Sequence, residues 1–328
     1  MVLEGLLMKH MKTALVAGII AASIIACPIL YFLVGPALDD NQLQTLYILL
    51  AIAGGSGLYC FVVGEIAHNN SQMDKLWSLL PEIYLWIIAA RGNMHPRLVI
   101  MAILATLWGA RLTFNFARKG AYHIKFWAGK EDYRWVVLRE KKEFQPHWKW
   151  MLFNFFFISI YQNLLVLAIT LPALVSMKSE AGLNWVDFLA MGLVLLFLII
   201  EIIADEQQWF FHSKKNKMLS EGKKLEDLPA PFNKGFNTIG LWSYCRHPNY
   251  LGEQGIWLSL YVFSIGAGVG IFNWSLIGAL LLVVLFLGSS MFGEEISASK
   301  YPEYILYKRK VSKFIPWRKY RPESEEGA

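Results

Sequence analysis

Long apolar runs constrain this chain more than any other feature. Eight stand out: Thr13–Val34, Leu43–Val63, Leu76–Ala90, Leu98–Ala117, Met151–Ser176, Trp185–Ala204, Leu251–Ile271 and Trp274–Phe292. Crossing the hydrocarbon of a bilayer takes about 20 apolar residues in a helix. Lipid offers the backbone no hydrogen-bond partner, so loops and open strands facing it are excluded. The expected fold is all-α: a polytopic membrane helix bundle of about eight transmembrane helices, forming one integral domain over residues 1–328. The third run is short and is expected to extend or tilt. The last two are close enough in sequence to form a tight hairpin, and residues 318–328 read as a flexible tail. The chain is 55% hydrophobic and only 17% charged, against roughly a quarter charged in ordinary globular chains. This excludes a disordered chain and an ordinary soluble enzyme.

Basic residues set the orientation. With eight crossings both termini share a side, and 27 of the 31 Lys and Arg residues fall on it. The opposite side holds Arg91, Arg97 and Lys178, and Arg111 lies inside the fourth run. Positive loops stay in the cytoplasm, so both termini are expected there. The net charge of +6 then reflects loops beside anionic lipid rather than a nucleic-acid surface. Which membrane is involved is not written in the sequence. A cleaved leader is disfavoured because the first run continues past Cys27 to Val34 and further runs follow. Cys27, Cys60 and Cys245 are too few and too scattered for a disulfide framework or a metal site.

Ionisable residues inside spans default to function. Trp108, Arg111, Asn115, Arg118 and Tyr122 recur at helical spacing on one face, as do Glu201, Asp205, Gln208 and His212. Two stripes of opposite charge suggest a shared pocket; the plainer alternative is that Arg111 pairs with Glu201 or Asp205 to pin the bundle. Glu82 lies behind Pro81, near Tyr84 and Trp86. The densest string is Gly240-Leu-Trp-Ser-Tyr-Cys-Arg246-His247-Pro248-Asn249-Tyr250-Leu-Gly252-Glu253. Arg246 and His247 offer cationic donors, and Pro248 starts a helix whose first turns carry Asn249, Tyr250 and Glu253. An alternative role for this string is anchoring lipid headgroups. Farther on, Gly293-Glu294-Glu295 precedes a Tyr-rich tail. Its Tyr304, Tyr307 and Val311 share one face of a short helix, which either lies on the membrane surface or caps the pocket with Glu294 or Glu295 inside. Glu131-Asp132-Tyr133-Arg134-Trp135 mixes charge with aromatics, a pattern common on solvated faces. The chain has no G-x-G-x-x-G, P-loop or H-E-x-x-H motif.

Ile200-Glu201-Ile-Ile-Ala204-Asp205-x-Gln207 together with the Arg-His-Pro-Asn-Tyr-x-Gly-Glu string resembles the steroid 5-alpha-reductase superfamily, nearest to the branch called domain of unknown function 1295. Trp108-Gly-Ala-Arg111-Leu112, Glu131-Asp-Tyr-Arg134 and Lys300-Tyr-Pro-Glu-Tyr304 are similar to that branch as well. The resemblance spans about residues 70–317 and leaves two additional N-terminal helices within residues 13–63. It implies NADPH as cofactor, bound on the cytoplasmic side, and hydride transfer to a conjugated carbon–carbon double bond of a steroid-like or other lipid-like substrate entering from the bilayer. It places Glu201, Asp205, Tyr244, Arg246, His247, Asn249, Tyr250 and Glu253 around the cofactor, with Arg111, Asn115, Arg118, Lys119 and Arg134 as phosphate or ribose partners. Steroid reductases carry a Gln-Glu pair before a Leu-Pro in an early span. Here Ser78-Leu79-Leu80 precedes Pro81, so Glu82, Tyr84 and Tyr250 become the candidate catalytic groups. Isoprenylcysteine carboxyl methyltransferases, which bind S-adenosylmethionine, share an Arg-His-Pro-x-Tyr-x-Gly string and the Glu-Glu and Tyr-rich ending. A lipid-binding protein without catalysis is the third reading.

Overall fold

The computed structural model describes residues 37–317 and 319–320. The first apolar run, Thr13–Val34, and nearly all of the expected tail lie outside the described residues. Among those described the chain is helical with no strand; a lone bridge joins Cys245 to Ser312.

Five helical stretches are long and apolar enough to cross a membrane: Asp40–Ala67, Pro96–Arg118, His147–Ser176, Trp185–Ser220 and Leu276–Lys300. They coincide with the second, fourth, fifth, sixth and eighth runs. The third run is broken into α2 (Gln72–Trp77) and α3 (Leu80–Arg91). The seventh becomes α10 (Pro248–Gly266), which stops before Ile271. Its link to the eighth is not the expected tight turn. Gly268 and Gly270 take φ of +80° and +108°, and Tyr261 Oη donates to the Ile271 carbonyl at 2.6 Å and accepts the Asn273 N–H at 3.0 Å. The sixth run continues far beyond Ala204 as α9, 36 residues over Trp185–Ser220. At 1.5 Å per residue it reaches ~54 Å, well beyond an apolar slab of about 30 Å. The acidic stripe therefore continues an unbroken helix.

The chain divides into two compact units. The first comprises Met1–Gly192 with Trp257–Leu285. Its α1 (Asp40–Ala67) opens with a capping box in which Asp39 and Gln42 exchange hydrogen bonds, satisfying N–H groups that a helix start leaves open. Its α4 (Pro96–Ala117) starts on a His95 cap with Pro96 in the first turn. Gly109 lets α4 approach the α2–α3 junction, because a Cβ there would lie 2.5 Å from the Ser78 carbonyl oxygen. After α5 (Tyr133–Arg139), α6 (His147–Phe153) passes into a π-helix at Asn154–Tyr161 and then into α7 (Gln162–Ala168) and α8 (Leu171–Ser176).

A buried ion pair of this unit joins Arg97 to Asp187, with 0% and 2% of the side chains exposed. Arg97 Nε and Nη2 grip both carboxylate oxygens at 2.7 and 3.0 Å. The remaining donors reach Ser179 Oγ and the carbonyls of Ala181, Gly182 and Gly266. Arg97 is thus a buried clamp rather than the loop charge that its sequence position implied.

The second unit comprises Leu193–Ile256 and Phe286–Ala328. It holds most of α9, the start of α10, the end of α11 (Leu276–Lys300) and α12 (Tyr304–Lys310). Tyr304, Tyr307 and Val311 are buried with Phe236 and Tyr320 in one aromatic cluster. That face does not lie on a membrane surface.

Candidate functional site in the second unit

Two glycines bring α9 and α10 together. A Cβ on Gly252 would fall 2.7 Å from Glu201 Cβ and 2.9 Å from the Phe197 carbonyl oxygen, and one on Gly255 would enter the Phe197 ring. One step along, Asn249 Nδ2 lies 3.5 Å from Asp205 Oδ1. Positions rising on α9 meet positions falling on α10, so the pair is antiparallel. Its seam carries Glu201 and Glu253, each 4% exposed, with Asp205, Gln208 and Asn249. Gln208 Nε2 lies 3.1 Å from His212 Nε2. Gln208 Oε1 and Asn249 Oδ1 are buried acceptors with no hydrogen-bond partner among the described residues. Leaving such atoms unmet costs about 1–3 kcal/mol each, and sites accept that cost where a ligand supplies the donor.

The two strings quoted from the sequence interlock physically. Gln207 Oε1 accepts the Leu241 N–H at 2.9 Å, and Trp242 Nε1 donates to the Ala204 carbonyl at 3.0 Å. Gly240 has φ +61° and a Cβ on it would strike the Gln207 carboxamide, so position 240 needs glycine twice over.

The loop then delivers Arg246 and His247 to Glu294 on α11. Arg246 Nε and His247 Nε2 reach Glu294 Oε1 at 2.8 and 2.9 Å. Arg246 Nη1 also donates to the carbonyls of Lys308 and Val311. Lys308 Nζ faces Glu294 Oε2 at 3.2 Å, yet that oxygen accepts no hydrogen bond among the described residues. The contact is a charge contact outside hydrogen-bond geometry. Burial holds the His247 imidazole below its ordinary pKa; Glu294 pulls it back up, while Arg246 and Lys313 push it down. Neutral His247 then donates Nε2–H to the carboxylate. The Tyr250 ring stacks on His247 at 5.2 Å and 15°, with its hydroxyl 3.5 Å from Ser289 Oγ. Burial pushes the Cys245 thiol up to about 11, so it stays protonated and unreactive. Tyr244 is exposed and makes no part of the seam. Of the two candidate acids, Glu294 is fully buried and Glu295 is exposed.

The remaining candidates belong to the first unit. Trp108 is buried edge-on against Trp257 at 4.9 Å. On the same face of α4, Arg111 is half-buried. Asn115 is buried and accepts from Arg118 Nε at 2.7 Å. Arg134 grips Asp132 at 2.9 and 3.1 Å and donates its backbone N–H to it as well. Burial raises the Asp132 carboxyl, but Arg134 and then Lys119 outweigh it and hold the pKa below the usual range. Asp74 shifts the other way, raised by burial and by the Asp132 charge, and it accepts the Trp135 indole at 2.7 Å. Arg139 meets Glu131 at 2.5 Å and Asn70 at 2.8 Å. Lys75 Nζ holds the Phe126 and Ala128 carbonyls at 2.7 and 2.6 Å. Glu131, Asp132 and Trp135 therefore clasp the 70–74 stretch, while Tyr133 stays exposed. Glu82 is half-buried beside Gly109, where a Cβ would lie 3.2 Å from its Oε2. Tyr84 is fully buried, and its hydroxyl has no partner among the described residues. Two residues apart on α3, these side chains project in different directions.

Sequence reasoning missed Arg97–Asp187 and the capping role of Gln207. The signal for the first was present: Asp187 lies inside the sixth apolar run, where a carboxylate needs a partner.

Apolar helices of spanning length, with charges buried in pairs or in a polar seam, define an all-helical protein fitted to a membrane. The chain belongs to the family described as protein of unknown function (DUF1295), whose match covers residues 60–311. An uncharacterized protein of the yeast Schizosaccharomyces pombe is 36% identical over 277 residues, covering 79% of this chain and 78% of its own. No solved structure matches.

Proposed function

We propose that this protein is an NADPH-dependent membrane reductase, related to the steroid 5-alpha-reductase superfamily, that delivers a hydride to a conjugated carbon–carbon double bond of a lipid-like substrate. The observation that carries this reading is the α9–α10 seam, where two unmet acceptors sit among buried carboxylates. An acceptor-rich seam suits neutral donors: the hydroxyls of a ribose and the amide of a nicotinamide. Arg246 is engaged by Glu294 and by tail carbonyls, so it shapes the seam rather than offering a ready phosphate ligand. Asp205, Gln208, Asn249 and Glu253 would hold the sugar and amide.

When bound, the cofactor supplies the hydride. The chain's own residues orient and polarise. Asp205 fixes the Asn249 amide, His247 fixes the Tyr250 ring, and Tyr250 would donate toward the substrate oxygen as enolate charge develops. The substrate enters laterally from the bilayer. Eight crossings with cytoplasmic termini complete the reading, supported by the one-sided distribution of Lys and Arg.

A second reading has one observation behind it. The Glu294 carboxylate and Tyr-rich tail are assembled onto the Arg-His-Pro string, as the resemblance to S-adenosylmethionine-dependent methyltransferases requires. Titration of purified protein with each nucleotide separates the two. Saturable NADPH binding is expected, whereas binding of S-adenosylmethionine alone replaces the reductase. Asn249→Ala with Glu253→Gln is expected to weaken NADPH binding about ten- to a hundred-fold, the equivalent of about 1.5–3 kcal/mol.

A further inference from the structure

We infer that the C-terminal segment Lys313–Trp317 is an interfacial anchor for anionic lipid, and that lipid engagement steadies Arg246 and His247. The segment leaves the aromatic cluster at Val311 and turns outward. Ile315 and Trp317 are 71% and 88% exposed, whereas Tyr304, Tyr307, Val311 and Tyr320 of the same tail are buried. Lys308, Arg309, Lys310, Lys313, Arg318 and Lys319 surround them in sequence. The occupant follows from this chemistry. Trp and a branched aliphatic side chain flanked by cations match a headgroup boundary, where an indole is at home and each cation is drawn to negative lipid. In sequence the segment follows α11, a helix of membrane-spanning length, and the short α12.

The segment is wired to the site through its own backbone. The Ser312 and Lys313 carbonyls accept the N–H groups of Arg246 and His247 at 2.9 and 3.1 Å. The Phe314 ring lies 6.0 Å from the His247 imidazole. A tail held down at Ile315 and Trp317 keeps these contacts closed, and a tail lifted from the surface opens them. The inference does not rest on the reductase reading, since it concerns lipid and the loop and involves no nucleotide.

Two measurements test it on the full-length protein in nanodiscs, one set of pure phosphatidylcholine and one containing phosphatidylglycerol. In the first, Trp317 emission is isolated as the difference between wild type and Trp317→Phe. Acyl-brominated phosphatidylglycerol is expected to quench it by about half or more, because bromine quenches only indoles that reach the acyl boundary. In the second, hydrogen exchange of the Arg246 and His247 amides is expected to slow about tenfold on adding phosphatidylglycerol, and Ile315→Ser with Trp317→Ser is expected to remove that response. Unquenched Trp317, or equal exchange in both bilayers, overturns the inference. So does protection seen in native membranes but absent from nanodiscs containing phosphatidylglycerol, which would assign the surface to a protein partner.

Discussion

A buried arginine–carboxylate pair stands in each unit among the described residues, and the two are built differently. Arg97 meets both oxygens of Asp187 and distributes its other donors over a hydroxyl and three carbonyls. Asp187 Oδ2 also accepts the Asn184 N–H at 2.9 Å, and no titratable histidine or exposed lysine shares that carboxylate among the described residues. Arg246 shares one oxygen of Glu294 with His247, leaving the other to Lys308, whose side chain is 47% exposed. The first pair is saturated and carries mainly fold. The second is partly open, includes a histidine that burial holds below its ordinary pKa, and precedes in sequence a seam with unmet acceptors. Closure of the hydrogen-bond network, more than burial, separates a structural charge pair from a poised one.

The comparison can be broken by mutation. The largest effect is expected at the saturated pair. Asp187→Ala strands a buried guanidinium and should cost about 3–5 kcal/mol, read as a collapse of thermal stability in detergent. Glu294→Gln keeps shape and an acceptor, so about 1–3 kcal/mol is expected. An equal or larger loss of stability at Glu294 would erase the distinction. Acidification gives the next effect. His247 has a native pKa below its unfolded value near 6.5, so the unfolded chain binds the proton more readily and stability falls as pH drops below about 6.5. His247→Gln should flatten that limb of a plot of melting temperature against pH, and an unchanged limb would remove His247 from the account. The smallest effect belongs to Lys224–Glu226, 3.9 Å apart with both side chains 77% exposed. Lys224→Ala there should leave the melting temperature unchanged within error.

Much of this was legible in the sequence. Apolar runs gave the helices because a bilayer leaves the backbone few solutions, and 3.6-residue spacing placed Asp205 with Gln208 and Asn249 with Glu253 correctly. Pairing was harder to read. Arg97 and Asp187 are far apart in sequence, and only the packed structure makes them neighbours. The break at Ser78-Leu79 was hidden because hydropathy does not register a kink. The face of Tyr304 and Tyr307 looked fit for a membrane because a ring that packs on Phe236 has the same composition as one that packs on lipid.

The interlock of Gln207 with Leu241 and of Trp242 with Ala204 has a wider consequence. Gln207 and Trp242 are stitches of a loop onto a helix, and a stitch serves the shape with or without turnover. A relative could keep the whole string and bind without reacting. Chemistry should therefore be inferred across the family from the unmet acceptors of Asn249 and Gln208, which an inactive descendant has no reason to leave open.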